Sequence, residues 1–237
     1  MSYCIIDTGQ SRSFPQPHAL HAGAHAETGD CLVIVGSNAG AHLDALDPSA
    51  DQTILVELGN ECLGVHTGES RGTEGARVLG FNRFRLGDGA PSDLVELVRQ
   101  PATPADAIEA ARVIFEGAGL EVSVCLDFAG RIIDRLVRPY YNEALRRLDE
   151  GLASADDMDL TLKLGLGYPE GPVSLLERTG LEHHYDVSKA LFEVYGERAY
   201  APARRAQVAK ARLVRHGGAE GEDVGGQTGS APGTGPV

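Results

Sequence analysis

RIIDRLVRPYYNEALRRLDEGLASADDMDLTLKLGLGYPEGP, residues 131–172, is the stretch on which the fold turns. Its first part reads as a long helix. At 100° per residue, Ile132, Ile133, Leu136, Val137, Tyr140, Tyr141, Ala144, Leu145 and Leu148 spread over roughly 220° of the wheel. So wide an arc predicts a helix buried on more than one side. Pro139 inside it removes a backbone donor and predicts a kink. Ser154 followed by Asp157 resembles a capping box with Asp in place of Glu, and should start a second helix running to about Leu164. Gly165, Gly167, Pro169 and Pro172 then form a turn-rich link. Two further helices are predicted at about residues 173–179 and Leu181–Tyr195, broken near Gly180, and a last one at about residues 202–212. From Gly217 onward 8 of 21 residues are glycine with no periodicity, so a tail over residues 213–237 is expected to be disordered.

Upstream the pattern changes. Tyr3–Asp7 is a short apolar strand candidate. Residues 9–30, rich in Gly, Pro, His and Ser, read as loop with room for one helical turn. Cys31–Val35 (CLVIV) is an uninterrupted apolar run of the kind found in strands buried on both faces, and Thr53–Glu57 and residues 77–80 look similar. Residues 94–98 suggest another strand. Ala107, Ile108, Ala111 and Phe115 give residues 104–117 the stripe of a helix packed on a sheet, Gly119 stops it, and residues 120–125 suggest a final strand. The fold class is therefore α/β over residues 1–128, followed by an all-α domain over residues 129–212.

A chain of 237 residues with 42% hydrophobic content fits a globular protein with a normal core. No apolar run approaches the ~20 residues of a membrane span, and MSYCIIDTGQ has no basic segment before an apolar one, which argues against a secretion signal. Cys4, Cys31, Cys62 and Cys125 are scattered without CxxC spacing, which suits a reducing cytoplasm better than a disulfide scaffold or zinc site. The net charge of −13 disfavours nucleic acid as a partner. Residues 1–128 hold 7 basic and 18 acidic groups, a balance of −11, while residues 129–237 hold 14 and 16, a balance of −2. The acidic half is not suited to attract an anionic ligand over long range.

The stretch quoted first resembles the C-terminal helical domain of the NAD-dependent 3-hydroxyacyl-CoA dehydrogenases. Arg135-Leu136 and Pro139-Tyr140, with Asn142-Glu143-Ala144, are similar to that family's NRLLxPYxNEA helix, and residues 154–171 to its SxxDIDxxxxxGxGYPxGP segment. Upstream, residues 30–35 resemble a strand ADLVIEAV, residues 77–84 a segment RFIGxHFFNP, and residues 94–103 (LVELVRQPAT) closely resemble LVEVIRTPAT. The resemblance implies a reduced Rossmann-like domain followed by a helical dimerisation domain. It implies NAD as cofactor, an acyl-CoA ligand and a homodimer. In that family a His paired with a Glu removes the 3-hydroxyl proton as hydride leaves for NAD.

The departures fall where that chemistry should be. No GxGxxG occurs, and 23 residues between Asp7 and Cys31 are too few for two βα units of about 30 residues each. Gly36 and Gly40, in GSNAG after a strand, could frame a phosphate-binding turn or a plain strand–helix connection. The family's His corresponds to Asn82, which cannot act as a base, while Glu96 matches its partner Glu and is open to the reading of a solvated or locally paired carboxylate. The Asn of NRLL corresponds to Asp134, which could pair with Arg138 at i+4. The family's Asn-Thr-Ser-Ser turn reads Leu58-Gly59-Asn60-Glu61, leaving Asn60 or Glu61 near the substrate-side serine. Candidate site residues are thus Glu96, Asn82 and Asp134 for catalysis, Asn60 for substrate, and Gly36 and Gly40 for cofactor.

Other groupings are weaker. His18, His21 and His25 could share a helix face, but lack a carboxylate or Cys at ligand spacing for a metal. His183 and His184 read as surface residues at a helix start. His66 could in principle replace the lost base, but is far from Asn82 in sequence. The resulting reading is a 3-hydroxyacyl-CoA dehydrogenase-like protein, weak or inactive in that reaction. Its alternative is a noncatalytic acyl-CoA-binding or assembly subunit that keeps the dimerising domain.

Overall fold

Six strands line up in the order in which the chain makes them. The structure is a computed structural model that describes residues 2–24, 29–46, 52–69 and 76–219. The sheet runs β1 (Tyr3–Asp7), β2 (Cys31–Val35), β3 (Thr53–Glu57), β4 (Val78–Arg83), β5 (Leu94–Arg99) and β6 (Glu121–Leu126). The first four are parallel, β5 is antiparallel to β4, and β6 is parallel to β5. The first three strands have the bounds expected from sequence. The fourth is longer, because Phe81, Asn82 and Arg83 pair with β5.

Alternation along the strands makes two apolar layers. Val33, Val35, Leu55, Leu79, Phe81, Val95 and Leu97 face one way, beneath α1 (Ala19–Ala22) and α4 (Ala105–Gly117). Leu32, Ile34, Ile54, Val56, Val78 and Val98 face the other way, beneath α2 (Ala39–Asp44). The helix α1 is the single turn anticipated in the 9–30 loop. Since α1 and α2 lie on opposite faces while both connections step the same way along parallel strands, the two crossovers have opposite hands. One of them is therefore the rare left-handed form. A short helix, α3 (Gly64–Thr67), follows β3.

The remaining chain is helical, with α5 (Ile133–Asp149), α6 (Ala155–Leu166), α7 (Pro172–Thr179), α8 (Leu181–Tyr195), a 3-10 turn (Arg198–Tyr200) and α9 (Arg204–Ala219). The last helix runs past Arg212, where the apolar pattern fades. The rest of the expected tail, residues 220–237, lies outside the described residues. Ser154 caps α6 by accepting from Asp157 N at 3.1 Å, as the box predicts. Asp159 then caps the next helix, taking Val173 N at 2.9 Å and Ser174 N at 2.8 Å. A Cβ on Gly171 would collide with that carboxylate, which is why the link needs glycine there. Pro139 sits within α5, which continues through it.

The inner face of α5 is more polar than its apolar arc suggests. Asp134, Arg138 and Asn142 are buried on it, whereas Leu136 is 69% exposed. His184, expected at the surface, is buried for the same reason. Arg138 Nη1 donates to His184 Nδ1 at 3.2 Å, and His184 Nε2 meets Asn142 Oδ1 at 3.0 Å. Asn142 in turn binds Ala199 O and Tyr200 O and accepts from Ala203 N, tying α5 and α8 to the start of α9. Among the described residues no helix is long and apolar enough to cross a membrane.

Burial, helped by Arg138, pushes His184 from its ordinary value near 6.5 down to about 3. The unfolded chain then binds a proton that the folded chain refuses. This contribution to stability is complete above pH 6.5 and is lost as pH falls toward 3, at up to about 1.4 kcal/mol per pH unit. Thermal denaturation followed from pH 7 to 4 should show a steep loss of Tm, and His184→Gln should flatten that slope. Parallel slopes for the two proteins would show that His184 is not the titrating group.

Candidate functional site

The carboxyl ends of β1, β2 and β3 open on a crevice of about 320 Å³. Gly36 follows β2 with φ of 108°, and a Cβ there would lie 2.6 Å from Gly9 O, so only glycine lets the two turns touch. The N–H groups that line such a turn are the natural donors to a phosphate. Here the first of them is taken by a carboxylate, which also binds the β1–β2 loop. Gly36 N donates to Glu57 Oε2 at 2.7 Å, and Ser13 N donates to Glu57 Oε1 at 2.7 Å. Gly40 lies under the His66 imidazole, which a Cβ would strike. The helix α2 has only six residues, and its N-cap Asn38 makes no side-chain cap bond. With a buried carboxylate on the floor, this crevice does not fit the pyrophosphate of a dinucleotide. Gly36 and Gly40 act as a packed strand–helix connection.

A second, tighter cleft of about 100 Å³ lies between the ends of β3 and β4 and the helices α5 and α8. Three of the four residues singled out for catalysis and substrate line it: Asn82, Asp134 and Asn60. Glu96 stands directly across from Asn82 in the antiparallel pair, so the two positions of the expected dyad are neighbours. Neither is free for proton transfer. Asn82 Nδ2 donates to Leu58 O at 2.6 Å. Glu96 is 2% exposed, and its Oε1 accepts from both Ile132 N and Ile133 N at 2.8 Å. It thus caps α5, whose N-terminal residues have no side-chain cap of their own. Its Oε2 lies 3.7 Å from Arg131 Nε. Burial raises the Glu96 carboxyl above its ordinary value, while the two backbone donors and Arg131 hold it back.

Asp134 makes the i+4 pair, with Arg138 Nε 2.7 Å from Oδ1. Arg131 was not singled out by its residue type. It is the one non-glycine residue with positive φ, 51°, among those described, and it is 4% exposed. The signal available in the sequence was its place between Gly130 and the start of the long helix, where a turn must deliver a side chain inward.

His66 does not reach the cleft of Asn82. It lines the crevice over Gly36 instead, with its Nε2 3.5 Å from Glu61 Oε1. His18 caps α1 through Nδ1, which accepts from Leu20 N; His21 lies in that helix and His25 lies outside the described residues. Cys62, Glu69 and Asp127 hold ligand atoms within 4.8 Å of one another. Burial raises the Cys62 thiol, and both Asp127 oxygens accept backbone N–H groups from Leu63 and Gly64. That arrangement is better suited to capping α3 than to holding a cation. Burial also pushes Cys125 up to about 11, which keeps it a neutral thiol.

Comparison with known proteins agrees with this architecture. Residues 130–224 match the family model for the 3-hydroxyacyl-CoA dehydrogenase C-terminal domain. The chain is 37% identical over 109 residues to the mitochondrial hydroxyacyl-coenzyme A dehydrogenase of Sus scrofa, covering 42% of this chain and 35% of that protein. It is 34% identical over 110 residues to a 3-hydroxybutyryl-CoA dehydrogenase of Bradyrhizobium diazoefficiens, covering 46% and 38%. The chain thus spans little more than a third of the length of these curated relatives. Among solved structures, the 3-hydroxybutyryl-CoA dehydrogenase of Escherichia coli K12 is similar at a TM-score of 0.65 and 26% identity, over 86% of this chain and 42% of that one. The (S)-3-hydroxybutyryl-CoA dehydrogenase of Ralstonia eutropha shares the fold at a TM-score of 0.64 and 22% identity, over 83% and 71%.

If Glu96 is a structural cap, Glu96→Gln should destabilise the protein by about 3 kcal/mol, because Arg131 loses its buried counter-charge. Urea denaturation measures this. A loss below about 0.5 kcal/mol would reject that role.

Proposed function

We propose that this chain, whose residues 130–224 match the C-terminal domain of the 3-hydroxyacyl-CoA dehydrogenases, is a member of that family that keeps its fold and helical domain while carrying the family's NAD-dependent reaction weakly or not at all. One observation carries this reading: the position facing Glu96 across the β4–β5 pair is Asn82, whose amide cannot take a proton and is already bound to Leu58 O. The surroundings agree. Glu96 serves α5 and Arg131 rather than an imidazole. The turn at Gly36 gives its N–H to Glu57 rather than to a phosphate. An acyl-CoA is the ligand class and NAD the cofactor that the family resemblance suggests, and the Glu57 carboxylate at the Gly36 turn weighs against NAD here.

The second reading is a noncatalytic acyl-CoA-binding or assembly subunit, and the helical domain favours it. Leu160, Leu164 and Leu166 on α6 are 53%, 79% and 63% exposed. Tyr140, Tyr168, Pro169 and Leu175 line a hollow of about 600 Å³ in the same domain. Apolar side chains grouped on one domain suit a partner surface, and a homodimer through this face is proposed. The cytoplasm is proposed as its compartment from the scattered spacing of the four cysteines.

Titration of the protein with NADH, followed by fluorescence, should give no saturable signal, and acetoacetyl-CoA with NADH should show no turnover above background. Saturable binding with turnover would overturn the inactive reading. Asn82→His is expected to add no activity, because Glu96 is committed elsewhere; a rise would mean that only the base was missing. Sedimentation at micromolar concentration should show a dimer, and Leu164→Asp should shift it toward monomer. A parent protein that sediments only as monomer would refute the proposed interface.

A further inference from the structure

The cleft around Asn82 is lined by five arginines, Arg12, Arg83, Arg85, Arg131 and Arg138, in a protein of net charge −13. Three of them are engaged within the fold. Arg83 donates to Ser13 O and Ser92 O and lies 3.5 Å from Asp93. Arg85 donates to Gly89 O and Asp88 O. Arg138 is held by Asp134 and His184. Two are not fully engaged. Arg131 Nη2 donates to Gly59 O at 2.8 Å, and its Nε faces Glu96 at 3.7 Å, but its buried Nη1 has no hydrogen-bond partner. Arg12 makes no hydrogen bond or ion pair among the described residues.

A buried guanidinium N–H without an acceptor costs about 1–3 kcal/mol, so a cleft that retains one has use for an acceptor. Arg131 is also kept at positive φ, a further cost of about 1–2 kcal/mol for a side-chain-bearing residue. Around Arg12, burial of the charged head and the nearby Arg85 and Arg138 lower its pKa, against Asp134 and Asp88, although the residue as a whole is exposed. Crowded cations of this kind are relieved by an anion. The acidic groups on the cleft wall are Asp134, paired with Arg138, and Asp186, paired with Lys210. Asp134 acts on Arg12 only through space, and neither acid forms an ion pair with Arg12 or Arg131.

We propose that this cleft binds a small oxyanion, a carboxylate or phosphate group, at the part of its wall supplied by Arg131 and Arg12. The guanidinium fork matches both groups, and about 100 Å³ admits the anionic end of a ligand but not an acyl-CoA thioester with its chain. The inference goes beyond the dehydrogenase reading and does not depend on turnover.

Calorimetric titration of the full chain with inorganic phosphate, and separately with malonate, tests it. Saturable binding of either is expected, and the tighter of the two identifies the anion. Arg131→Met, which keeps the stem and removes the charge, should weaken it about tenfold, the equivalent of one charge-assisted hydrogen bond. Arg12→Gln, at an exposed position, should weaken it by about threefold or more and serves as the deciding variant if Arg131→Met fails to fold by circular dichroism. No saturable binding of either anion would overturn the proposal. So would parent affinity in Arg12→Gln, or in a folded Arg131→Met.

Discussion

The carboxylate of Glu96 joins the two halves of the molecule. It is buried in the middle of β5, yet one of its oxygens takes the first two free N–H groups of α5. A helix N-terminus carries unpaired donors and a partial positive charge, and a buried carboxylate is costly without both. Each therefore satisfies the other, and the start of the long helix is tied to the sheet. Arg131 completes the arrangement by facing the second oxygen from a left-handed backbone position. The same contacts that secure the fold take the carboxylate away from the Asn82 side.

A second buried polar network organises the helical half. Asp134, Arg138, His184 and Asn142 form one chain of contacts from the start of α5 to the start of α9. Such a network is stable because its members answer one another in a low dielectric. It also explains why charged residues sit on the inner face of a helix whose apolar residue Leu136 points outward.

Charge is distributed at two scales. The first 128 residues are strongly acidic, which speaks against long-range attraction of anions. Locally the pattern reverses. Glu57 closes the crevice over Gly36, while arginines from the β1–β2 loop, β4, the β4–β5 loop, the turn before α5 and α5 itself converge on the neighbouring cleft. Net charge is a sum over the chain, whereas a site depends on which few groups are brought within reach.

Much of the fold was legible in the sequence. CLVIV and TILVE read as buried strands because apolar runs of that length between turns have few other uses. Ser154–Asp157, Gly167 and Pro172 marked helix ends through local capping chemistry. Asn82 and Glu96 were legible as a pair of positions, and Asp134 with Arg138 as an i+4 pair. What the sequence by itself determined was therefore whatever local periodicity and capping control: the strands, the helices and the residue types at the matched positions. Only the tertiary structure decided that Glu96 caps α5, that His184 is buried, and that Arg131 and Arg12 line one cleft. Those outcomes depend on contacts between residues as much as 72 positions apart, such as Arg131 with Gly59 O, and on the solvent each contact excludes, neither of which is encoded at any one position.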